Sequence, residues 1–322
     1  MKPTTVHDLI AQVRSQVDEV NSSSLDTIDD ILPALNRGQN KAAEILAKHY
    51  PEPLIRPTTI DTISGTAAYD IPEDAMGDRV TLVEMLVDTL PAEVRMVTYT
   101  QLGPHKATGT VPIPNACTVY NRSIVFAPAP SGTYDAQVWY VKQPQPLVSV
   151  WGRITTIGSG YIIVDSIGSE DDDTTPSVDL ATLDCFFNVI DAQTGYVKGT
   201  YQAKTITGNR IDIKTVPTQA DLWGDTIETS LTAPSTGFVP SRDDYICAAG
   251  GSCVPMLKHP FADFIVQFAV AATRRRLGDN SGLEDALAKE FENEVKTTWA
   301  GRAQAQRVIN RSPYLNFPLR TR

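Results

Sequence analysis

The sequence has no uninterrupted apolar run approaching the roughly 18–20 residues that a membrane-crossing helix needs, so no membrane span is expected. Cysteine is scarce. Cys117, Cys185, Cys247 and Cys253 form no CxxC pair, and the four histidines are scattered, which argues against a zinc site. Spacing alone permits a Cys247–Cys253 disulfide, but small reduced thiols in a reducing, cytosol-like compartment are the expectation. There is no Walker loop, no GxGxxG after a strand, no GxSxG elbow and no HExxH. Nothing assembles a nucleophile, a base and an oxyanion hole, so no catalytic, metal or cofactor residue is assigned. The N-terminus "MKPTTVHDLIAQVRSQVDEV" carries charges every few residues and does not read as a secretion signal.

Positive charge is also in deficit, with 28 Lys and Arg against 38 Asp and Glu for a net charge of -10. That balance opposes wrapping on nucleic acid, which needs a basic footprint; an acidic ring around DNA would instead let it slide. At 322 residues, 42% hydrophobic and 20% charged, the chain is globular and long enough for two or three domains.

What is present is a change of hydrophobic period along the chain. Val6, Leu9, Ile10, Val13 and Val17 share one helical face, and "LDTIDDILPALNRGQNKAAEILAKHY" predicts a second helix that Pro33 kinks or splits. From Thr58 to Val148 the period is two. Val119, Ile124, Phe126, Tyr134, Val138 and Tyr140 mark two strands with "PAPSG" as their turn. Residues 150–234 read as short strands with Gly turns, and acids there outnumber bases by seven. Phe261, Phe264, Ile265, Phe268, Ala269 and Ala272 form a further helical face closing at Gly278, and Leu283, Leu287, Phe291, Val295 and Trp299 another. The expected fold class is α+β. Its parts are N-terminal helices (1–56), an antiparallel sheet region (57–149), an inserted β-barrel or sandwich-like module (150–235), C-terminal helices packing on the N-terminal ones (236–309) and an extended basic tail (310–322).

Paired carboxylates abound in "SEDDDTT", and a glycosidase would need two of them. Asp171, Asp172 and Asp173 have no apolar wall to raise a pKa and read as a solvated turn rather than a glycosidase pair. Asp165, Asp171, Asp173 and Asp179 lack the EF-hand spacing for calcium. His259, before Pro260, reads as structural. Trp151, Tyr161, Tyr196, Tyr201 and Trp223 in the insert offer either sugar-stacking faces or core. Arg274, Arg275 and Arg276 lie at a helix C-terminus, where cations suit the helix dipole, with a secondary partner contact as the alternative.

Several phrases together resemble tailed-phage head-to-tail adaptor (connector or neck) proteins. They are "LNRGQNKAAEILAKHYPEP", "SGTAAYDIP" (Ser64–Pro72), "NRSIVFAPAPSGTYDAQVWYVKQPQPL" (Asn121–Leu147) and "HPFADFIVQFAVAATRRRLGD". The resemblance covers residues 1–148 and about 238–322, and leaves the insert outside it. It implies a non-enzymatic virion protein without cofactor, assembled in the host cytoplasm. Such a protein forms a homo-oligomeric ring, usually a dodecamer, beneath the portal. It extends the DNA channel, passes DNA without sequence-specific binding, and docks tail nozzle, tube or fibre proteins. Its rivals are a tail terminator or tail-tube protein, which the long helices argue against, and a carbohydrate-binding or carbohydrate-cleaving protein acting through the insert.

The tail gains a reading from this resemblance. From Gly301 on there is no acid, while Arg302, Arg307, Arg311, Arg320 and Arg322 alternate with the apolar Tyr314, Leu315 and Phe317, and Pro313 and Pro318 forbid a continuous helix. That pattern suits an extended segment that orders on a partner, with aromatic anchors and arginines paired to acids on the portal or a neighbouring subunit. Attraction to packaged DNA is the competing reading.

Overall fold

The structure, a computed structural model, describes residues 5–17, 25, 27–87, 90–103, 109–149, 151–165, 186–215, 221–222, 225–234, 238–257, 260–278 and 282–300. The chain mixes helices with several β-sheets, so the α+β class is correct. It divides into two compact units, one formed by Ile45–Gln143 with the segment that starts at Thr298, the other by Met1–Glu44 with Pro144–Thr297.

The first unit is built from ten strands: β1 (Ile55–Asp61), β2 (Ala68–Asp70), β3 (Ala75–Val87), β4 (Leu90–Glu93), β5 (Arg95–Met96), β6 (Thr110–Val111), β7 (Ala116–Tyr120), β8 (Ser123–Ala127), β9 (Ala129–Pro130) and β10 (Asp135–Lys142). One sheet runs β1-β10-β3-β4 and a second β2-β8-β7-β5, with β6 and β9 paired apart. Register aligns Thr58 with Val138 and Val83, and Ile60 with Ala136 and Met85, on one face of the first sheet. Val83, Met85, Ala136 and Val138 there are buried with Ile124, Phe126 and Cys117 of the second sheet. The edge strands β1 and β4 contain Pro57 and Pro91, and proline at an edge leaves fewer free N–H groups for a stray strand to pair with.

The sequence reading of two strands around "PAPSG" is corrected here. Val119 and Ile124 lie on different strands, β7 and β8, joined by a tight turn in which Asn121 (φ 51°) and Arg122 (φ 59°) are both left-handed. That is the backbone that closes a two-residue hairpin, and without a glycine it carries little sequence punctuation. "PAPSG" itself contains β9.

The second unit combines helices from both ends of the chain with a β-barrel. Helix α1 (Val6–Gln16) is closed by a capping box: Asp8 N–H donates to Thr5 Oγ1 at 3.3 Å, and Thr5 N–H donates to Asp8 Oδ2 at 2.9 Å. Its Val6, Leu9, Ile10 and Val13 are buried, and Val6 N–H donates to Cys253 O at 2.9 Å. A π-helical turn at Thr27–Ile31 leads into α2 (Leu32–His49). Pro33 falls in the first turn of α2, directly after the π-helical turn, so the helical stretch 27–49 changes from π to α geometry just before the proline. Helix α3 (Phe261–Arg276) approaches α2 where Gly38 removes the side chain that would otherwise crowd Ile265, since a Cβ there would lie 3.1 Å from the Ile265 carbonyl oxygen. Helix α4 (Leu283–Glu294) stacks Phe291 on Phe264 with ring centroids 4.2 Å apart.

The barrel uses β11 (Trp151–Gly158), β12 (Tyr161–Val164), β13 (Phe186–Ile190), β14 (Val197–Thr207), β15 (Arg210–Ile213), β16 (Asp221–Leu222), β17 (Asp225–Glu228) and β18 (Tyr245–Ala248). The order β13-β18-β11-β12-β15-β14 closes on itself because β14 also pairs with β13, while β17 and β16 extend from β14. Closure rests on two strands that turn a corner. β11 pairs with β18 through residue 153 and with β12 from residue 154, with a register shift between Ile154 and Thr156. β14 pairs with β13 through residue 202 and with β15 from residue 203, with a shift between Ala203 and Thr205. Bulges at these points supply the bend that carries a strand from one face of a barrel to the next. Alternate residues fill the interior, among them Ile154, Ile162, Phe187, Val189, Tyr201 and Ile211.

Candidate docking surfaces

The three arginines at the end of α3 are anchored within their own unit. Arg274 donates to Gln16 O at 2.8 Å, Arg275 pairs with Glu284 at 3.2 Å, and Arg276 pairs with Asp30 and donates to Asp29 O at 3.4 Å. They tie the α3 C-terminus to α1, to the π-helical turn and to α4. Arg275 and Arg276 keep 63% and 60% of their side chains exposed, and a guanidinium has five donors, so the cluster still presents hydrogen-bonding capacity outward. The tail residues Arg302, Arg307, Arg311, Tyr314, Leu315, Phe317, Arg320 and Arg322 lie outside the described residues, as do His259, Cys185 and the acidic loop with Asp171, Asp172, Asp173 and Asp179. The chain reaches the tail from a π-helical turn, Val295–Ala300.

The barrel's aromatics sort into core and surface. Tyr201 is fully buried and stacked on Phe187 (5.8 Å), so it offers no face to a sugar. Tyr161 lies beneath the Arg210 guanidinium at 3.9 Å, and Tyr196 is half-buried. The side chains of Trp151 and Trp223 are outside the described residues. Among the described residues, no three His, Cys, Asp or Glu side chains are grouped to hold a metal ion. Asp165 instead accepts from Arg153 N–H at 2.8 Å.

The Tyr201 hydroxyl is buried without a hydrogen-bond partner among the described residues, and burial, then the nearby Glu228 carboxylate, push its pKa up. An unmade hydrogen bond of this kind costs about 1–3 kcal/mol, so Tyr201→Phe is expected to hold or raise the barrel's unfolding temperature, by up to about 4 °C. Calorimetry checks this, and a clear fall would show that the hydroxyl is bonded.

Cys117, Cys247 and Cys253 are free, buried thiols, with Cys247 Sγ donating to Gly251 O at 3.3 Å. Burial pushes the Cys117 thiol up to about 12, so its reactive thiolate is scarce at neutral pH. A maleimide reagent is expected to leave Cys117 unmodified in native protein and to label it on unfolding, as read by mass spectrometry.

A buried ion cluster escaped the sequence reading. Lys198 Nζ, on β14, lies 2.8 Å from Asp244 Oδ2 and 3.2 Å from Asp191 Oδ2, and donates to Ser241 Oγ at 3.0 Å. Asp191 also holds the β13–β14 turn, its Oδ1 accepting from Gln193 N–H at 2.8 Å and Thr194 N–H at 2.6 Å. Burial opposes charge on both Asp191 and Lys198. The bonds from Thr194 and Lys198 outweigh it to lower the Asp191 pKa, and those to Asp244 and Asp191 outweigh it to raise that of Lys198. The cluster fastens the β13–β14 hairpin to the segment entering β18. The three residues are dispersed in sequence, so no local motif announces them.

Family comparison bears on the first half of the chain. Residues 4–161 match the model of the SU10 adaptor protein family, covering α1, α2, all ten strands of the first unit and the start of the first barrel hairpin. Residues 238–322, which the sequence resemblance also included, lie beyond the matched segment. No curated protein matches the chain. Over residues 4–161 the chain is similar to the SU10 adaptor protein family, a family of phage head-to-tail adaptors.

Proposed function

We infer that the chain is a head-to-tail adaptor that assembles as a ring, a dodecamer as in the adaptor proteins it resembles, beneath the portal of a tailed phage, extends the DNA channel and receives the tail. The observation that carries this is the family match over residues 4–161, which supports a structural virion protein of adaptor type. In this reading DNA passes along the channel without sequence-specific contact. The basic tail lodges on the portal or on a neighbouring subunit, its aromatic residues filling pockets and its arginines pairing with acids. Arg274, Arg275 and Arg276 are the secondary contact, using the donors that their internal bonds leave over. The barrel, outside most of the family match, is the part that meets tail nozzle, tube or fibre proteins. Assembly takes place in the host cytoplasm.

The test is mass photometry of the purified protein, alone and mixed with portal rings. The adaptor reading expects portal mass to rise by a fixed number of subunits. Portal mass that stays unchanged at saturating protein would overturn it. Hydrolysis of peptidoglycan or polysaccharide by a monomer would favour the carbohydrate reading instead.

A further inference from the structure

The sheet β1-β10-β3-β4 buries one face in the core of its unit and leaves the other open. On the open face Asp61 stands directly opposite Asp135, and Glu84 directly opposite Glu93. Directly opposed residues have their Cβ atoms roughly 4.5–5.5 Å apart on the same side of the sheet, and like charges so placed destabilise it. The same face therefore carries two unfavourable pairs, and none of the four carboxylates enters an ion pair among the described residues.

Apolar surface lies between them. Leu82 and Leu86 are half-buried on this face, and Trp139 donates its Nε1–H to Glu84 Oε2 at 3.3 Å. Beside Glu93 opens a cleft of about 360 Å³, lined by Thr81, Leu82, Glu93, Val94, Arg95 and Met96. An acidic face with an apolar stripe and an adjoining cleft suits an extended basic segment with aromatic anchors. The same chain contains one.

We propose that in the free protein residues 301–322 lie across the open face of the chain's own β1-β10-β3-β4 sheet, with arginines against the two carboxylate pairs and an aromatic ring of Tyr314 or Phe317 at the cleft. Charge complementarity selects the occupant: the segment carries five arginines and no acid. Its tether selects the same chain over a second copy. Trp299, just before the segment, has its ring 6.2 Å from that of Tyr50, in the same unit as the sheet. Fully extended, 301–322 reaches roughly 70 Å, well beyond the span of a unit of this size. A short tether gives an effective concentration in the millimolar range, so a weak salt-sensitive contact is occupied within one chain long before it forms between two. The docked segment keeps its anchors off unrelated surfaces until a partner with better pockets displaces it. This inference goes beyond the portal reading and does not depend on it.

The experiment uses full-length chain with Tyr314→p-benzoylphenylalanine, and separately Phe317→p-benzoylphenylalanine, as an equal mixture of isotopically light and heavy protein irradiated at low ionic strength. Cross-links are expected from the probe into residues 80–96 or 135–142 of the same chain. They should fall by about tenfold or more in high salt, where surface charge pairs are screened, and likewise in the variant Asp61→Asn, Glu84→Gln, Glu93→Gln, Asp135→Asn. Those four side chains are exposed or half-buried, so the variant should fold, which circular dichroism checks. As a second readout, trypsin should cut after Arg311 about tenfold faster in that variant than in wild type, because an undocked segment is open to protease. Light-to-heavy cross-links, links to any other surface, no links, or links and cleavage indifferent to the four substitutions would each overturn the proposal. No portal enters the experiment, so its outcome is separable from the adaptor assignment.

Discussion

Lys198→Met is expected to lower the unfolding free energy of the barrel-bearing unit by about 3–5 kcal/mol, the usual cost of stranding a buried charge by removing its partner. Asp244 decides the size of the effect. Its side chain is 4% exposed, and its Oδ2 accepts from Lys198 Nζ (2.8 Å), Ser241 N–H (2.6 Å) and Ser241 Oγ (2.9 Å). Methionine keeps the apolar stem and removes only the ammonium, so the loss reports the charge rather than packing. Urea denaturation of the two proteins measures it, and a change under about 1 kcal/mol would mean that water or a rearranged Ser241 takes over the role of Lys198.

A pH series separates the contributions of Asp191 and Lys198. The Asp191 pKa is lowered in the folded state, so its contribution is complete above its unfolded value near 4 and is lost as pH falls through the lower folded value. The Lys198 pKa is raised, so its contribution is complete below its unfolded value near 10.4 and is lost only as pH rises through the higher folded value. Asp191→Asn keeps an oxygen for the turn and should cost about 1–2 kcal/mol at pH 7, with the gap from wild type closing below about pH 4. A gap that persists unchanged in acid would assign the effect to turn geometry instead of charge.

The residues explain why some of this was readable from sequence and some was not. Helix α1 announced itself through Val6, Leu9, Ile10 and Val13 at helical spacing, and Phe261, Phe264 and Ile265 did the same for α3, because one helical face is a local pattern. The period-two stretches likewise marked strands. Closure of the barrel depends instead on β14 meeting both β13 and β15, and on shifts at Ala203 and Thr205 that no composition signals. The Asn121–Arg122 turn was missed because neither residue is glycine, although both adopt the left-handed backbone that glycine favours. Asp61 and Asp135, or Glu84 and Glu93, become neighbours only when strand register is known. Tyr201 was one of five candidate sugar-stacking aromatics, and its place beside Phe187 is set by long-range packing. The tail was the opposite case: its charge and apolar pattern are legible from sequence alone.

Removing residues 311–322 is expected to leave the unfolding temperature within about 1 °C of wild type and to weaken loading onto portal rings by at least about 100-fold. The deletion takes Arg311, Arg320 and Arg322 with the anchors Tyr314, Leu315 and Phe317. Aromatic and arginine anchors in a well-packed interface each contribute about 2 kcal/mol or more, and a loss of 2.7 kcal/mol is already a hundredfold. Two finer variants decide what kind of partner the tail meets. On a protein surface, Tyr314→Ala with Phe317→Ala should reproduce most of the loss although every arginine remains, because the pockets are left unfilled. On DNA the same pair should matter little and replacement of the arginines should matter most, since phosphate affinity follows the number of cations and falls steeply with salt. Mass photometry of portal mixtures with all three proteins, at low and high salt, separates these outcomes; undiminished loading by the 311–322 deletion would leave the tail without a part in attachment.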